Sequence, residues 1–484
     1  MTLSAVWVDT SRLRPSRWAA EYYRKDYTDL EDFLESSGQR LVPLGKLGRL
    51  FTGPFGSELP ASMYNTPNGV PLLRVQNIGD LFLNEDDLAR IPLSVHKEII
   101  RSKLEPGDLA LAKAGRLGAL IRIPEHIPEC NITQHIVGVK IDKGHVRGSY
   151  LAAFFLSRYG NFQLRRQGVG TLIKYLGIEE TRAAKVPLPD RRIQDYIGNK
   201  VELAEQCSNL ANGLLTEAKD LFNKILGLNR FQPTLSLTNT IKADELSYRL
   251  TSEFYLQRYF DLDAHLRSLG LQIKPIGSLL REHIIRSSTP ERTDDGEVPC
   301  ILTSDIDPHE IRWRIPSLRV TSSVHKAHTG RLEELDVVYT SVGPPVGEAA
   351  VTLRQFLPMA VGGDVSILRH GKDLHPGFLS LFLNSVFGQM QNDRYSRGIR
   401  QRRVYPEDIG AFLIPVLSLD NQNYIGDRVV QYQDLREHAI NLVTQAKADA
   451  EALVEGTLDI EGILSGKLKP PTEDEVLGQQ RGDA

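Results

Sequence analysis

The chain has 484 residues and a formal net charge of −3, and 41% of its residues are hydrophobic and 25% are charged. These values are ordinary for a globular protein of two to four domains, and the slightly acidic balance argues weakly against nucleic-acid binding. The three scattered cysteines predict packed thiols in a reducing compartment. The apolar runs are far shorter than the ~20 residues of a membrane span, and the first residues lack a signal-peptide pattern, which together predict a cytoplasmic protein.

The chain repeats itself at long range. Arg17, Tyr23 and Gly45 are among nine residues that recur 232 positions later, and Asp108 and Gln194 are among a further set that recurs 228 positions later. This spacing is much longer than the ~20–50-residue periods of solenoid repeats. It predicts two whole domains in tandem, and the differences between the copies predict that they bind two related but different targets.

Each copy begins with a short amphipathic helix, predicted over residues 17–36 and 249–268. Gly38 and Gly270 stand at the positions of helix C-caps. In the first copy the apolar positions follow a 4-3-4 step, which is helical spacing: Tyr23, Tyr27, Leu30 and Leu34.

About 145 residues of mixed patterns follow in each copy. Short apolar or alternating runs between Gly, Pro and Asn predict strands at residues 70–75, 109–112, 136–141 and 337–340. Helices are predicted among them over residues 148–159 and 376–391. The predicted fold class is therefore α+β, with two tandem α/β domains.

Each copy ends in a predicted helix of about 35 residues with one continuous apolar seam. The two seams are equivalent at a spacing of 228 residues and share a 3-3 step, which overwinds a coiled coil locally. At ~1.5 Å per residue each helix spans ~50 Å, more than the width of a small domain. This length favours an antiparallel coiled coil and a pseudo-twofold relation between the copies; the alternative is that each helix packs only on its own domain. The residues expected to pair the helices are Ile197, Val201, Leu214 and Leu221 in the first, and Ile425, Val429, Leu442 and Leu453 in the second.

The predicted organisation has six segments. They are an N-terminal helical arm at 1–41, a first domain at 42–190, a central long helix with a connecting arm helix at 191–273, a second domain at 274–418, a C-terminal long helix at 419–465 and a tail at 466–484. The tail is rich in Pro, Gly and charge, and this composition predicts disorder.

Familiar catalytic motifs do not occur in the sequence. It lacks the phosphate-binding loop, the zinc-protease motif, the dinucleotide fingerprint and the hydrolase elbow. A nuclease-like pattern can be assembled from Pro189-Asp190 and Glu217-Ala218-Lys219, but its second part lies in the predicted long helix, where such residues ordinarily face solvent. We therefore expect no catalytic site, no bound metal and no cofactor in this chain.

Short motifs occur in the same order in both copies. The first copy contains G-P-F-G-S (53–57), G-V-P-L-L-R-V-Q-N-I (69–78), L-E-P-G-D-L-A-L-A-K-A-G-R-L-G (104–118) and V-P-L-P (186–189). The second contains S-T-P (288–290), V-P-C-I-L-T-S-D-I (298–306), L-D-V-V-Y-T-S-V-G (335–343) and L-I-P-V (413–416). This ordered set, present twice and followed each time by a long helix, resembles the specificity (S) subunits of type I restriction–modification systems over roughly residues 17–460.

Two features depart from the family pattern. Leu335 stands where the first copy has Gly107 in its Gly-Asp turn, and Ala19 and Thr251 replace the aspartate of the usual Arg-x-Asp. These differences concern a turn and the docking of partners rather than the architecture.

The resemblance implies a non-enzymatic DNA-recognition subunit for phage defence by DNA methylation and restriction. It implies two target-recognition domains, each binding one half of a split target, and helical spacers that set the gap. It also implies two methyltransferase subunits as partners, with S-adenosylmethionine as their cofactor, and restriction subunits that join this core. Half-sites one turn apart lie ~34–36 Å from centre to centre, so ~50 Å spacers predict a bipartite target whose middle bases are not read.

Basic loops lie at equivalent positions in the two copies. Residues 170–175 align with 398–403, but their side chains differ, as two half-site readers require. Arginine and lysine bind phosphates, and arginine also binds guanine edges. The residues expected to contact DNA are Lys113, Arg116, Arg165, Arg166, Lys174 and Tyr175 in the first copy, and Arg394, Arg397, Arg400, Arg402 and Arg403 in the second. The alternative is that these arginines are solvated or paired within the protein and that Tyr175 and Tyr405 belong to the domain cores.

Three other functions remain open at this stage. The chain could be the specificity protein of a different methyltransferase-based defence system, a duplicated protein-binding scaffold, or a nuclease.

Overall fold

A computed structural model describes residues 7–14, 17–56, 58–168, 174–247, 249–293 and 295–481. The chain divides into unit 1, formed by Met1–Ser208 and Glu437–Ala484, and unit 2, formed by Asn209–Arg436. Both units are α+β, as predicted. In the described ranges no helix is both long and apolar enough to cross a membrane.

The helices confirm the predicted alternation of short helices with two long ones. The α-helices are α1 Lys25–Ser36, α2 Leu93–Glu98, α3 Gly148–Leu156, α4 Arg158–Arg166, α5 Ile178–Arg182, α6 Arg191–Ile225, α7 Gln257–Ser268, α8 Ser322–Ala327, α9 Pro376–Asn384, α10 Val386–Tyr395, α11 Pro406–Gly410, α12 Leu419–Glu455, α13 Ile460–Leu464 and α14 Glu473–Arg481.

The strands are short, and each unit has its own set. In unit 1 they are β1 Leu41–Pro43, β2 Gly48–Thr52, β3 Val70–Leu73, β4 Asp80–Leu81, β5 Ala89–Ile91, β6 Lys103–Leu104, β7 Leu109–Ala112, β8 Leu120–Arg122, β9 Cys130–Ile132, β10 Ile136–Ile141 and β11 Lys185–Pro187. In unit 2 they are β12 Gln272–Pro275, β13 Ile285–Arg286, β14 Val298–Ile301, β15 Ile306–Asp307, β16 Glu310–Ile311, β17 Leu318–Val320, β18 Val337–Thr340, β19 Ala349–Val351, β20 Ala360–Val361, β21 Val365–Leu368 and β22 Leu413–Val416.

The sheets share the same order of central strands, which confirms the duplication, although among the described residues β15 pairs only with β16 in unit 2 and β6 has no counterpart strand there. Unit 1 has a sheet of order β2-β10-β7-β8-β4, and unit 2 has one of order β13-β21-β18-β19. The order β5-β3-β9-β6 in unit 1 corresponds to β17-β14-β20 in unit 2, and the pair β1-β11 corresponds to β12-β22. The central strands are apolar and fully buried, as in β7 and β18, because helices or the second sheet cover both of their faces.

The Gly-Asp turn before each central strand keeps one conformation in both copies. Gly107 has φ of 88°, and Leu335, which replaces it, has φ of 66°. The following aspartate then closes the turn: Asp108 accepts a hydrogen bond from Glu105 N at 2.9 Å, and Asp336 accepts one from Glu333 N at 2.8 Å. A left-handed leucine is strained by roughly 1 kcal/mol, so the surrounding contacts, rather than the residue's own preference, hold the second turn.

The two long helices contact each other within each unit. In unit 1 Lys200 of α6 pairs with Asp449 of α12, and in unit 2 Glu217 pairs with Arg428 at 2.9 Å. In unit 1 Arg192, at the start of α6, also donates to Leu464 O, which lies just after α12, at 3.1 Å, so the two helices run antiparallel within this unit. The predicted antiparallel arrangement of the long helices is therefore confirmed. The residues expected to pair them stay a prediction: Ile197, Val201, Ile425, Val429, Leu442 and Leu453 are buried, and Leu214 and Leu221 are half-buried.

The long helices also pack on the domains, so pairing and domain packing occur together. In unit 1 Glu202 of α6 binds Arg147 at 2.6 Å. In unit 2 the side chain of Gln433 of α12 donates to Val351 O at 2.6 Å, on the edge strand β19. The three cysteines form no disulfide bond and are buried, and Cys207 lies in the α6 seam, as expected of packing residues.

The arm helices are shorter than predicted. Helix α1 begins at Lys25 and α7 at Gln257, whereas the apolar spacing predicted helices from residues 17 and 249. Arg24 and Leu256, with ψ of 139° in both cases, interrupt the helical path.

A tyrosine explains why the first part of each arm is not α-helical beyond one short 3-10 turn, Ala20–Tyr23 and Ser252–Tyr255. The hydroxyl of Tyr23 donates to Arg17 O at 2.8 Å, and the hydroxyl of Tyr255 donates to Arg249 O at 2.5 Å. These side chains occupy backbone acceptors that a continuous helix would use. The same bond in both copies shows that the duplication includes this segment before the α-helix.

The tail also differs from the prediction, because α14 forms within it. Thr472 N donates to the Glu475 carboxylate at 2.8 Å, and Glu475 N donates to Thr472 Oγ1 at 3.3 Å. This reciprocal cap satisfies two donors at the start of the helix, and Leu477 is buried. The prediction of disorder used the overall composition of the tail and did not consider this capping pair.

Candidate nucleic-acid interface

In each unit the turn after a central strand lies beside a loop that follows a helix. Ala114 forms an antiparallel bridge with Tyr175 in unit 1, and Val342 forms one with Arg403 in unit 2. Both members of the second bridge lie 228 positions after those of the first. Loops that are equivalent in sequence therefore occupy equivalent places in the two domains.

In unit 2 this loop is a tight hairpin over residues 397–403, here called the arginine hairpin. Arg397 N donates to Arg403 O and Arg403 N donates to Arg397 O, both at 2.8 Å. Gly398 has φ of 96°, and a Cβ at this position would lie 2.4 Å from Gln401 O, so the turn requires glycine. Ile399 is fully exposed at the tip.

Three exposed arginines of the hairpin are available to a ligand. Arg400 is exposed and has no polar partner among the residues that the structure describes. Arg402 binds Asp393 at 2.9 Å with both side chains about half exposed, and Arg403 donates to the Gln401 side chain at 3.0 Å. Surface pairs of this kind are weak, so a phosphate or a base can replace these partners.

Arg397 at the base of the hairpin is held more firmly. It binds Asp408, whose side chain is fully buried, at 2.7 Å. Its guanidinium also lies 4.8 Å from the centre of the Tyr405 ring. These contacts anchor the hairpin, and they place Tyr405 in a half-buried packing position.

Arg166 and Arg394 form the same internal ion pair in the two units. Arg166 binds Glu31 and Arg394 binds Asp263, each at 2.7 Å, and the two acids are 232 positions apart. Each arginine also donates to a backbone carbonyl of its arm and lies over an aromatic ring there, at 4.0 and 4.6 Å from the ring centre. Their side chains are only 4% and 11% exposed. They attach the arm to the domain, so we do not retain them as proposed DNA contacts.

The corresponding loop of unit 1 lies largely outside the described residues, because these omit 169–173. Lys174 is about half exposed and binds Glu21. Tyr175 is 41% exposed, with its ring centre 6.2 Å from that of His135. Lys113, on the neighbouring turn, is half-buried.

Two further candidates of unit 1 lie on its surface. Arg116 donates to Ile78 O at 3.2 Å and has Asp80 at 3.6 Å, so it is only loosely held. Arg165 is exposed at the end of α4 and lacks a polar partner within the described part of the chain. Lys174, Arg116 and Arg165 therefore stay predictions for the first half-site.

The nuclease-like pattern does not form a site. Asp190 caps α6 by accepting from Arg192 N at 2.9 Å, whereas Glu217 binds Arg428 at 2.9 Å. The two acids are 27 residues apart in the sequence and belong to different units. Across the described ranges no group of three or more His, Cys, Asp or Glu side chains could hold a metal ion.

Solved structures similar to this chain come from restriction–modification systems. The chain is similar to the type I restriction–modification S subunit from M. genitalium, with 12% identity over 87% of this chain and 96% of that chain and a TM-score of 0.44. It is also similar to the HsdS subunit from Thermoanaerobacter tengcongensis, with 15% identity over 87% and 97% and a TM-score of 0.30. A shorter match, over 37% of this chain and 28% of the other, is to the type IIG restriction endonuclease BpuSI, with 12% identity and a TM-score of 0.29. No family model and no curated protein matches the chain.

The contrast between the buried and the exposed arginines can be tested by stability. Arg394→Ala is expected to lower the free energy of unfolding by about 3 kcal/mol, because it leaves the mostly buried Asp263 without its partner. Arg402→Ala, at a surface pair, is expected to change it by less than ~0.5 kcal/mol. Urea unfolding of the full chain followed by circular dichroism measures both. Equal effects of the two substitutions would contradict the assignment.

Proposed function

We propose that this chain is a sequence-specific DNA-binding specificity subunit of a type I restriction–modification complex. One observation carries the proposal: the same turn and loop meet in both copies, at a spacing of 228 residues, and present different side chains. A shared scaffold with different contact residues suits a protein that binds two unlike half-sites.

In this proposal the chain recognises DNA and leaves the chemistry to its partners. The long helices set the distance between the half-sites and dock two methyltransferase subunits, whose cofactor is S-adenosylmethionine. Restriction subunits join this complex, which is located in the cytoplasm. The 35 residues of α6 span ~50 Å, which supports a bipartite target with unread middle bases.

The proposal is tested by the salt dependence of DNA binding by the purified full chain. The DNA is a 30-base-pair duplex of random sequence. If the protein contacts six to ten phosphates, its affinity should fall ~10³–10⁵-fold when the salt concentration rises from 50 to 200 mM. A protein-binding scaffold, which the net charge of −3 slightly favours, would show no such slope and would overturn the proposal.

The same preparation distinguishes recognition from catalysis. We expect no cleavage of DNA by the chain alone when Mg²⁺ or Mn²⁺ is added. Metal-dependent cleavage that survives Arg400→Ala but is lost in Glu217→Gln would support the nuclease alternative instead.

A further inference from the structure

The loop after β16 carries chemistry that its counterpart in unit 1 lacks. Residues 312–317, here called the Trp313 loop, read R-W-R-I-P-S and contain two arginines and no carboxylate. The counterpart, residues 84–88, reads N-E-D-D-L and contains three carboxylates and no basic residue.

The two loops start from the same backbone position. Arg312 N donates to Asp305 O at 2.8 Å, and Asn84 N, 228 positions earlier, donates to Asn77 O at 3.0 Å. The acidic loop of unit 1 is held to the end of β3, because the Asp87 carboxylate accepts from Arg74 at 2.9 Å. The same scaffold therefore carries opposite charge in the two domains.

The Trp313 loop has a packed base and an exposed tip. The Trp313 ring packs against Phe356, with ring centres 5.6 Å apart, and the Arg314 guanidinium lies 4.8 Å from the Trp313 ring centre. Ile315, the next residue, is 90% exposed. The aromatic anchor thus fixes an apolar side chain in solvent beside basic residues.

A continuous series of contacts connects this loop to the arginine hairpin. Gly343 N donates to Arg402 O at 3.2 Å, and Thr303 Oγ1 lies 3.7 Å from where a Cβ at Gly343 would be. The next residue, Ser304, shares a hydrogen bond of 2.8 Å with Ser317 of the Trp313 loop. The hairpin, the turn and the Trp313 loop therefore form neighbouring parts of one surface of unit 2.

We propose that the Trp313 loop is a second DNA-binding element of this domain, with Arg312 on a phosphate and Ile315 against the edge of a base in the groove. The inference rests on the proposed function and names a further part of the same interface. Cationic side chains bind the phosphate backbone of DNA and so position the protein on the duplex. Apolar side chains contact thymine methyl groups or insert between stacked base pairs. The acidic loop of unit 1 would repel DNA, so the two half-sites are bound in different ways.

The acidic groups beside Arg312 leave this contact possible. Arg312 is 57% exposed and has Asp307 at 3.3 Å, a surface pair that a phosphate can displace. Glu348 is a further nearby carboxylate, and burial raises its pKa to about 7, so part of its negative charge is lost near neutral pH.

The test uses the full chain and the duplex that the wild type selects from a random-sequence pool. Ile315→Ser is expected to weaken binding about tenfold without changing the salt slope, because it removes an uncharged contact. Arg312→Ala is expected to weaken binding and to reduce the slope of log affinity against log salt by ~0.9. Asp86→Ala, in the acidic loop of unit 1, is the matched control and should not weaken binding. Since Ile315 and Arg312 are exposed, thermal unfolding should show no change in any of these variants.

Trp313 supplies a direct readout. With Trp7→Phe and Trp18→Phe, Trp313 is the remaining tryptophan of the sequence, and quenching of its fluorescence by acrylamide should fall when the selected duplex binds. Unchanged DNA affinity of Ile315→Ser together with unchanged quenching would overturn the inference. It would also be overturned if the Trp313 loop contacted a partner protein and not DNA. The proposed function would survive that result if the wild type still selects a sequence, and it fails separately if the wild type selects none.

Discussion

Replacing Phe222 by alanine is expected to lower the free energy of unfolding by about 4 kcal/mol, because the change opens a large cavity in a close-packed core. Phe222 is 1% exposed, and the rings of Phe378, Phe382 and Phe387 lie with their centres 6.1, 6.5 and 6.4 Å from its own. It belongs to α6, which follows the first domain in the chain, yet it completes the core of unit 2. The loss should therefore appear in the second domain.

Hydrogen exchange measured by mass spectrometry locates this effect in the full chain. Exchange should increase in α9 and α10, which carry the three partner rings, and the urea midpoint should fall. Leu210→Ala is the matched control, since Leu210 lies on the same helix but is 43% exposed and should cost less than ~1 kcal/mol. Faster exchange confined to unit 1 would contradict this placement of Phe222.

Local patterns predicted the elements of the fold well. Strands predicted at 109–112, 136–141 and 337–340 are confirmed with those bounds, because each is a short apolar run between turn residues and is buried on both faces. The long helices are confirmed because their seam repeats over many turns, so one irregular step does not obscure the period.

Contacts between distant segments could not be predicted in this way. Arg166 and Arg394 belong to the basic clusters of the sequence, yet they bind acids 135 and 131 residues away in the arms. Composition counts such charges but cannot tell a paired arginine from a free one. The signal was present in the duplication, since both members of the pair recur, and a comparison of acids with bases between the copies would have found it.

The Trp313 loop was missed for a related reason. Arg312 and Arg314 are too few to stand out as a cluster, and Ile315 alone resembles many exposed apolar residues. Only the alignment of the copies shows that three carboxylates occupy the equivalent loop. Differences between duplicated domains at one backbone position therefore indicate candidate binding residues that local charge does not single out.

Replacing Arg400 and Arg402 together by alanine is expected to weaken binding to one half of the target about 100-fold and to leave recognition of the other half unchanged. Both belong to the arginine hairpin of unit 2, where Arg400 is unpaired among the described residues and Arg402 has only a surface partner. A well-placed arginine contact with a base contributes ~1–3 kcal/mol of discrimination, so two contacts account for the expected loss. Sequence selection from a random pool, scored separately for each half, measures the change.

The first domain provides the reciprocal experiment. Arg165→Ala with Lys174→Ala should weaken the other half of the target, because both residues lie on the surface of unit 1 near the equivalent loop. Unchanged thermal unfolding in both double variants would separate recognition from stability. If either double variant weakened both halves equally, the two domains would not act as independent half-site readers, and the assignment of one half-site to each domain would be wrong.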